Sequence, residues 1–118
     1  MDFFYGNQAE SFSFYRIPKV LITDKRFQKL PCEAKLLYGF LIDRMSLSIK
    51  NQWLDEQNRV YIYYTIESIM EDLGCGHEKA GKLLADLEWH QLLHRVRQGL
   101  CKPDRLYPLS FLSTIPEV

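Results

Sequence analysis

The sequence predicts an α+β domain, and three patterns carry that expectation. Ala34, Leu37, Tyr38, Leu41 and Met45 recur at helical spacing. Ile66, Ile69, Met70 and Leu73 do so again before Gly74-Cys75-Gly76, beyond which Ala80, Leu83, Leu84 and Leu87 begin a further helical period. Two short extended segments, near 92–97 and 105–109, enclose a loop containing Gly99 and Pro103. The 118 residues are 47% hydrophobic and 25% charged, with 6 Gly and 5 Pro. That balance excludes a disordered or fibrous chain, and at this length roughly two-thirds of the unfolded surface is buried in a core.

Taken in order, residues 1–13 are aromatic and polar without a period and form an N-terminal arm. Tyr15, Ile17, Val20 and Ile22 around Pro18 suggest a short edge strand or an extended arm, because proline cannot donate to a ladder. Pro31 stands where a first helical turn needs no donor, which starts a helix over 31–47. Trp53-Leu54 and the run from Arg59 to Tyr64 flank the turn-forming Asp55-Glu56-Gln57-Asn58, predicting a β-hairpin. Thr65 caps a helix over 66–73 that Gly74 stops, and a second helix runs near 77–88. The longest apolar run, 36–42, is far short of the roughly 20 residues that span a bilayer, and the start lacks a basic signal region. Cys32, Cys75 and Cys101 are odd in number and form no C-x-x-C pair, so free thiols in a reducing, cytoplasmic compartment are expected.

Helix, hairpin, capped short helix, glycine turn, helix and basic ribbon together make the layout of a winged helix-turn-helix, with an N-terminal strand or arm and two β-hairpins. In that architecture the second helix of the pair can enter the major groove of duplex DNA. At 100° per residue its outward arc centres on Glu78, Lys82, Ala85 and Trp89, flanked by Lys79, Gly81 and Asp86. The zero net charge conceals segregation: 16–50 carry eight bases against three acids, and 51–72 one base against five acids. Base-edge or phosphate contact is assigned to His77, Lys79 and Lys82, and backbone or minor-groove contact to Arg95, Arg97, Lys102 and Arg105. Lys19, Lys25, Arg26 and Lys29 are further phosphate candidates, and the acidic 51–72 block should lie away from Lys82.

Other chemistries are poorly supplied. His90 and His94 have metal-ligand spacing only on a continuous helix, which the chain should be leaving near Gln91. Gly74-x-Gly76-x-x-Lys79 lacks the full phosphate-loop pattern and follows a helix. The carboxylate pairs Asp55-Glu56 and Glu71-Asp72 are sequence neighbours, unsuited to flank a substrate across a cleft. Cys75, at a helix N-terminus, could be reactive without being catalytic. No enzyme activity, metal or cofactor is expected.

The run Phe14-Tyr15-Arg16-Ile17-Pro18, then 34–39 and 41–48, then Tyr61 to Thr65, 69–76, Lys79-Ala80, 82–87, 97–100, Lys102-Pro103 and 105–107 resembles the RepA_N plasmid replication initiators in order and spacing. The resemblance covers roughly residues 12–110. It implies a dimeric winged-helix domain over 14–112 that recognises repeated duplex-DNA sites at a plasmid or mobile-element origin. It further implies replisome recruitment by a separate carboxy-terminal region, with 113–118 a tail toward it. The fold also resembles the amino-terminal domain of DnaD primosome proteins, which implies the alternative of a self-association module without sequence-specific DNA binding. Two departures from the family pattern are Gly81, which loosens the helix or admits a close backbone, and His90-Gln91-Leu92-Leu93 before the ribbon.

Overall fold

Pro18 opens a helical turn instead of interrupting a strand. In the structure, a computed structural model describing residues 1–111 apart from the side chains of 47–49, the Pro18 carbonyl accepts from Leu21 N at 3.1 Å and helix α1 spans Val20–Thr23. The expected strand at 15–22 is therefore replaced by extended chain up to Ile17 and then helix. Helical geometry buries Leu21 completely and turns Ile22 outward, whereas period-2 alternation would have put Val20 and Ile22 on one buried face. A 3-10 turn, Lys25–Phe27, capped by the Asp24 carboxylate on Arg26 N (2.9 Å), then inserts Phe27 into the core.

Helix α2, Cys32–Lys50, begins beside Pro31 as expected and runs three residues beyond the predicted end, since nothing breaks it before Gln52 turns left-handed (φ 58°). Ala34, Leu37, Tyr38 and Leu41 form its buried face. Gly39 is buried because the arm crosses there: a Cβ at that position would lie 3.0 Å from the Arg16 carbonyl oxygen and 3.2 Å from Ile17 Cγ1. Tyr15 packs on Phe40 with ring centroids 4.4 Å apart. Residues 1–13 contain a 3-10 turn, Gln8–Ser11, and none of them is buried.

The first expected hairpin is not built as a ladder. Among the described residues it is short, closing at the Leu54–Val60 bridge with Asp55 N donating to the Arg59 carbonyl (3.0 Å) and Tyr61 N to the Trp53 carbonyl (3.3 Å), while the Asp55 carboxylate binds the turn. It accepts from Gln57 N (2.9 Å), Arg59 N (2.8 Å) and Arg59 Nε (2.7 Å), which fixes the turn. Burial pushes this carboxyl up, but the hydrogen bonds from Arg59, Tyr107 and Gln57 outweigh it and hold it at about 2. The far side of the turn pairs elsewhere: Ile62 exchanges both backbone hydrogen bonds with Leu106, at 2.8 and 3.0 Å.

Helix α3, Ile66–Leu73, and helix α4, His77–Trp89, follow the sequence expectation almost residue for residue. Thr65 accepts from Ser68 N at 3.1 Å, and Gly74 ends α3 in the left-handed conformation (φ 65°). Removing the cap with Thr65→Ala should cost about 1 kcal/mol of stability, read as a lowered urea midpoint at unchanged slope. Strands β1, Leu93–Val96, and β2, Arg105–Pro108, pair antiparallel in the register Leu93 to Pro108 and Val96 to Arg105, forming the wing. The core runs between α2, α3, α4 and this ribbon through Leu37, Leu41, Ile62, Ile69, Leu84, Leu87 and Leu92. The Tyr38 hydroxyl donates to the Leu109 carbonyl at 2.6 Å, tying α2 to the chain just beyond the wing.

Candidate nucleic-acid interface

Helix α4 buries Ala80, Leu83, Leu84 and Leu87 against α2 and α3, so its remaining arc is delivered to solvent by packing alone. His77, Glu78, Lys79, Lys82, Ala85 and Trp89 are exposed, Trp89 to 83%. This is the arc drawn from the sequence. The helix passes unbroken through Gly81, and among the described residues nothing beyond its chain neighbours and its own helix backbone lies within 4 Å of a Cβ built there, so no other segment approaches Gly81 closely.

The cations assigned to this region do not form one cluster. His77, at the first residue of α4, shares a crevice of about 280 Å³ with Thr65, Glu67, Arg95 and Asp104, between the helices and the wing. Lys79 forms an ion pair with Glu33 in the first turn of α2, and this hydrogen bond holds the lysine proton more tightly than usual. Lys82 pairs with Asp86 one turn along its own helix, at 3.0 Å. Arg95 faces α4 from β1, with Nε 2.8 Å and Nη2 2.5 Å from Glu88 Oε1. Arg97 lies just past β1 and Lys102 in the wing loop; both are exposed, and neither has an ion-pair partner among the described residues. Arg97 borders a hollow at the wing tip with Gly99, Leu100, Cys101 and Asp104.

Arg105 stands apart. In the ribbon it is paired with Val96, while Arg95 is paired with Leu106, so the two arginines occupy opposite faces. The Arg105 guanidinium stacks over Tyr61 at 4.3 Å, and hydrogen bonds to Tyr107 and Tyr63 raise its pKa further. It lines a cleft of about 340 Å³ with Asp55, Glu56 and Arg59. The acidic turn thus lies against this outer face of the wing, and Lys82 has its own Asp86 as partner. Asp72 instead accepts from the Tyr64 hydroxyl.

Of the amino-terminal bases, Lys19, Lys25 and Lys29 are exposed, and Arg26 is held at 2.9 Å by Asp24. Arg26 and Phe27 share a hollow with Trp89 and His90, which brings this segment to the C-terminal end of α4. His90 Nδ1 lies 2.9 Å from the Asp86 carbonyl oxygen at the end of α4, and His94 is on β1, so the two are not on one helix. Among the described residues no group of three His, Cys, Asp or Glu could hold a metal ion, and no helix is long and apolar enough to cross a membrane. The carboxylates Glu33 and Glu88, which engage Lys79 and Arg95, carry no sequence signal, because Glu33 comes from another helix and Glu88 is separated from Arg95 by the end of α4, past which helical spacing does not hold.

Solved structures share this fold. The solved structures similar to the chain include one described as the N-terminal domain of a DNA binding protein, 39% identical, with a TM-score of 0.77 over 93% of this chain and 84% of that one. A second, described as a Rep-DNA complex, is also 39% identical, with a TM-score of 0.77 over 92% and 84% of the two chains. A third, described as an MDR initiator, is 35% identical, with a TM-score of 0.74 over 92% and 86%. A 41 kDa protein of Lactobacillus helveticus is 31% identical over 110 residues, which are 88% of this chain and 31% of that protein, so the chain spans about a third of that relative's length. Residues 13–117 match the family described as replication initiator protein A (RepA) N-terminus. With an α+β winged helix-turn-helix fold and a match over nearly its whole length, the chain belongs to the RepA_N family of replication initiators.

Proposed function

We propose that this domain binds duplex DNA at a plasmid or mobile-element replication origin and reads its sequence, without catalysis or cofactor. The observation that carries the reading is the outward arc of α4, exposed and free of core contacts, with an exposed basic wing tip. The similarity to a protein solved as a Rep-DNA complex supports it. In this reading His77, Lys79 and Lys82 contact base edges or phosphates in the major groove. Arg95, Arg97 and Lys102 follow the backbone from the helix-facing side and tip of the wing, and Arg105 reaches DNA only from the wing's other face. The working form is a homodimer on repeated origin sites, and replisome proteins are engaged by a region outside this chain.

A second reading is favoured by the arm. Phe3, Phe4, Tyr5, Phe12, Phe14 and Tyr15 are each more than half exposed, an apolar surface suited to a second copy of the chain. Both readings are tested by binding the purified domain to a labelled duplex from the origin beside its own gene, against scrambled duplex, at two salt concentrations. Preference for the origin duplex that weakens with salt supports DNA recognition. Absence of preference at both salts, with concentration-dependent self-association, transfers the function to the interaction reading.

A further inference from the structure

Three of the cations placed at the candidate interface already hold an anion. Lys79 is joined to Glu33 with both side chains about half exposed (52% and 50%), Lys82 to Asp86, and Arg95 to Glu88. Two of these carboxylates belong to α4 itself, while Glu33 comes from the first turn of α2, 46 positions before the lysine it binds. Each carboxylate presents oxygens to its cation much as a phosphate would, in the same charge-assisted geometry. A phosphate or base edge approaching Lys79 competes with Glu33 for the charge of the ammonium, and full engagement exchanges one anion for another. Resting on the DNA-binding reading above, we infer that Glu33 on Lys79, like Asp86 on Lys82 and Glu88 on Arg95, is an internal competitor that sets the strength and salt dependence of DNA binding.

The physical consequence is twofold. A lysine that begins free contributes its whole phosphate contact to affinity, whereas one that begins paired contributes only the difference between two ion pairs. Counterion release from DNA gives a slope of about −0.9 in log affinity against log salt for each phosphate neutralised. A cation retained by its carboxylate neutralises none, and one that must leave its carboxylate gains part of that cost back as salt weakens the internal pair. The pairs thus keep binding weaker and flatter with salt than the number of interface cations implies.

The test compares Glu33→Gln, Lys79→Ala and the double variant with the unaltered domain, on origin and scrambled duplexes across a salt series. Glu71→Gln, exposed on α3 and without an ion-pair partner among the described residues, removes the same charge as a control. Glu33→Gln is expected to tighten binding about 2–5-fold beyond the control. Its salt slope should steepen by up to about 0.9, and the gain should vanish in the Lys79→Ala background. Asp86→Asn, read with and without Lys82→Ala, repeats the measurement within one helix should Glu33→Gln impair folding in a thermal melt. A Glu33→Gln domain indistinguishable from the control, or a gain that survives without Lys79, overturns the exchange. An unaltered domain that binds neither duplex overturns the DNA-binding reading and the exchange together.

Discussion

Truncating Tyr38 to alanine is expected to remove about 3–5 kcal/mol of folding stability, a large share of the roughly 5–15 kcal/mol of a typical domain. The ring is 1% exposed at the centre of α2, and its hydroxyl reaches the Leu109 carbonyl at 2.6 Å, 71 positions along the chain. Alanine leaves a ring-sized void between α2 and the wing and also cuts this tie. Tyr38→Phe keeps the packing and loses only the hydrogen bond, so it should cost about 1 kcal/mol. The pair of variants separates the two contributions by urea unfolding.

The same residue contributes to an alkaline limit, together with Tyr64, whose phenol is also pushed up by burial and by Asp72. Burial pushes the Tyr38 phenol up to about 12, against about 10 when it is unfolded. Its contribution is therefore complete below pH 10 and is lost as the pH rises from 10 through 12. Loss of helix should accompany the share of the phenolate absorbance that Tyr38 contributes in the unaltered protein. In Tyr38→Phe the part of that transition due to residue 38 should be missing, and an unchanged alkaline profile would remove Tyr38 from the explanation.

Lys82→Ala and Arg97→Ala should differ in kind. Lys82 sits at the centre of the outward arc of α4, 71% exposed, and as a base reader its loss costs about 1–3 kcal/mol on the origin duplex and relaxes the preference over scrambled DNA. Arg97 stands at the wing without an ion-pair partner among the described residues, so its loss weakens every duplex alike and reduces the salt slope by about 1. Equal losses on both duplexes for both variants would refute base readout by α4 and leave a phosphate-tracking domain.

Which features could be read from the chain depended on how local their causes were. Thr65 and Gly74 bound α3 at the predicted residues because a cap and a left-handed stop act within one turn. The outward arc of α4 followed from the 3.6-residue period. Pro18 misled because proline is equally compatible with a strand edge and a helix start, and the choice rests on where Leu21 is buried. The hairpin at 53–64 turns at the expected residues but is shorter than expected, because beyond the Leu54–Val60 bridge Ile62 takes its partner 44 positions away. At the candidate interface, the Lys82 to Asp86 pair is visible as i, i+4 spacing, but nothing local joins Lys79 to Glu33. The separation of Arg95 from Arg105 depends on the parity of the ribbon's register, which the length of the wing loop does not reveal.

The crossing at Gly39 turns the aromatic arm into a tether of known root. Arg16 and Ile17 are seated against α2, so whatever Phe3 or Phe4 touches must lie within the reach of about thirteen residues. Fully extended, that is about 45 Å, comparable with the 39 Å intermediate dimension of the folded chain. One copy's arm is thus long enough to cross the width of a neighbour, and a substitution that dislodged the chain from residue 39 would move the origin of that search without altering a single aromatic side chain.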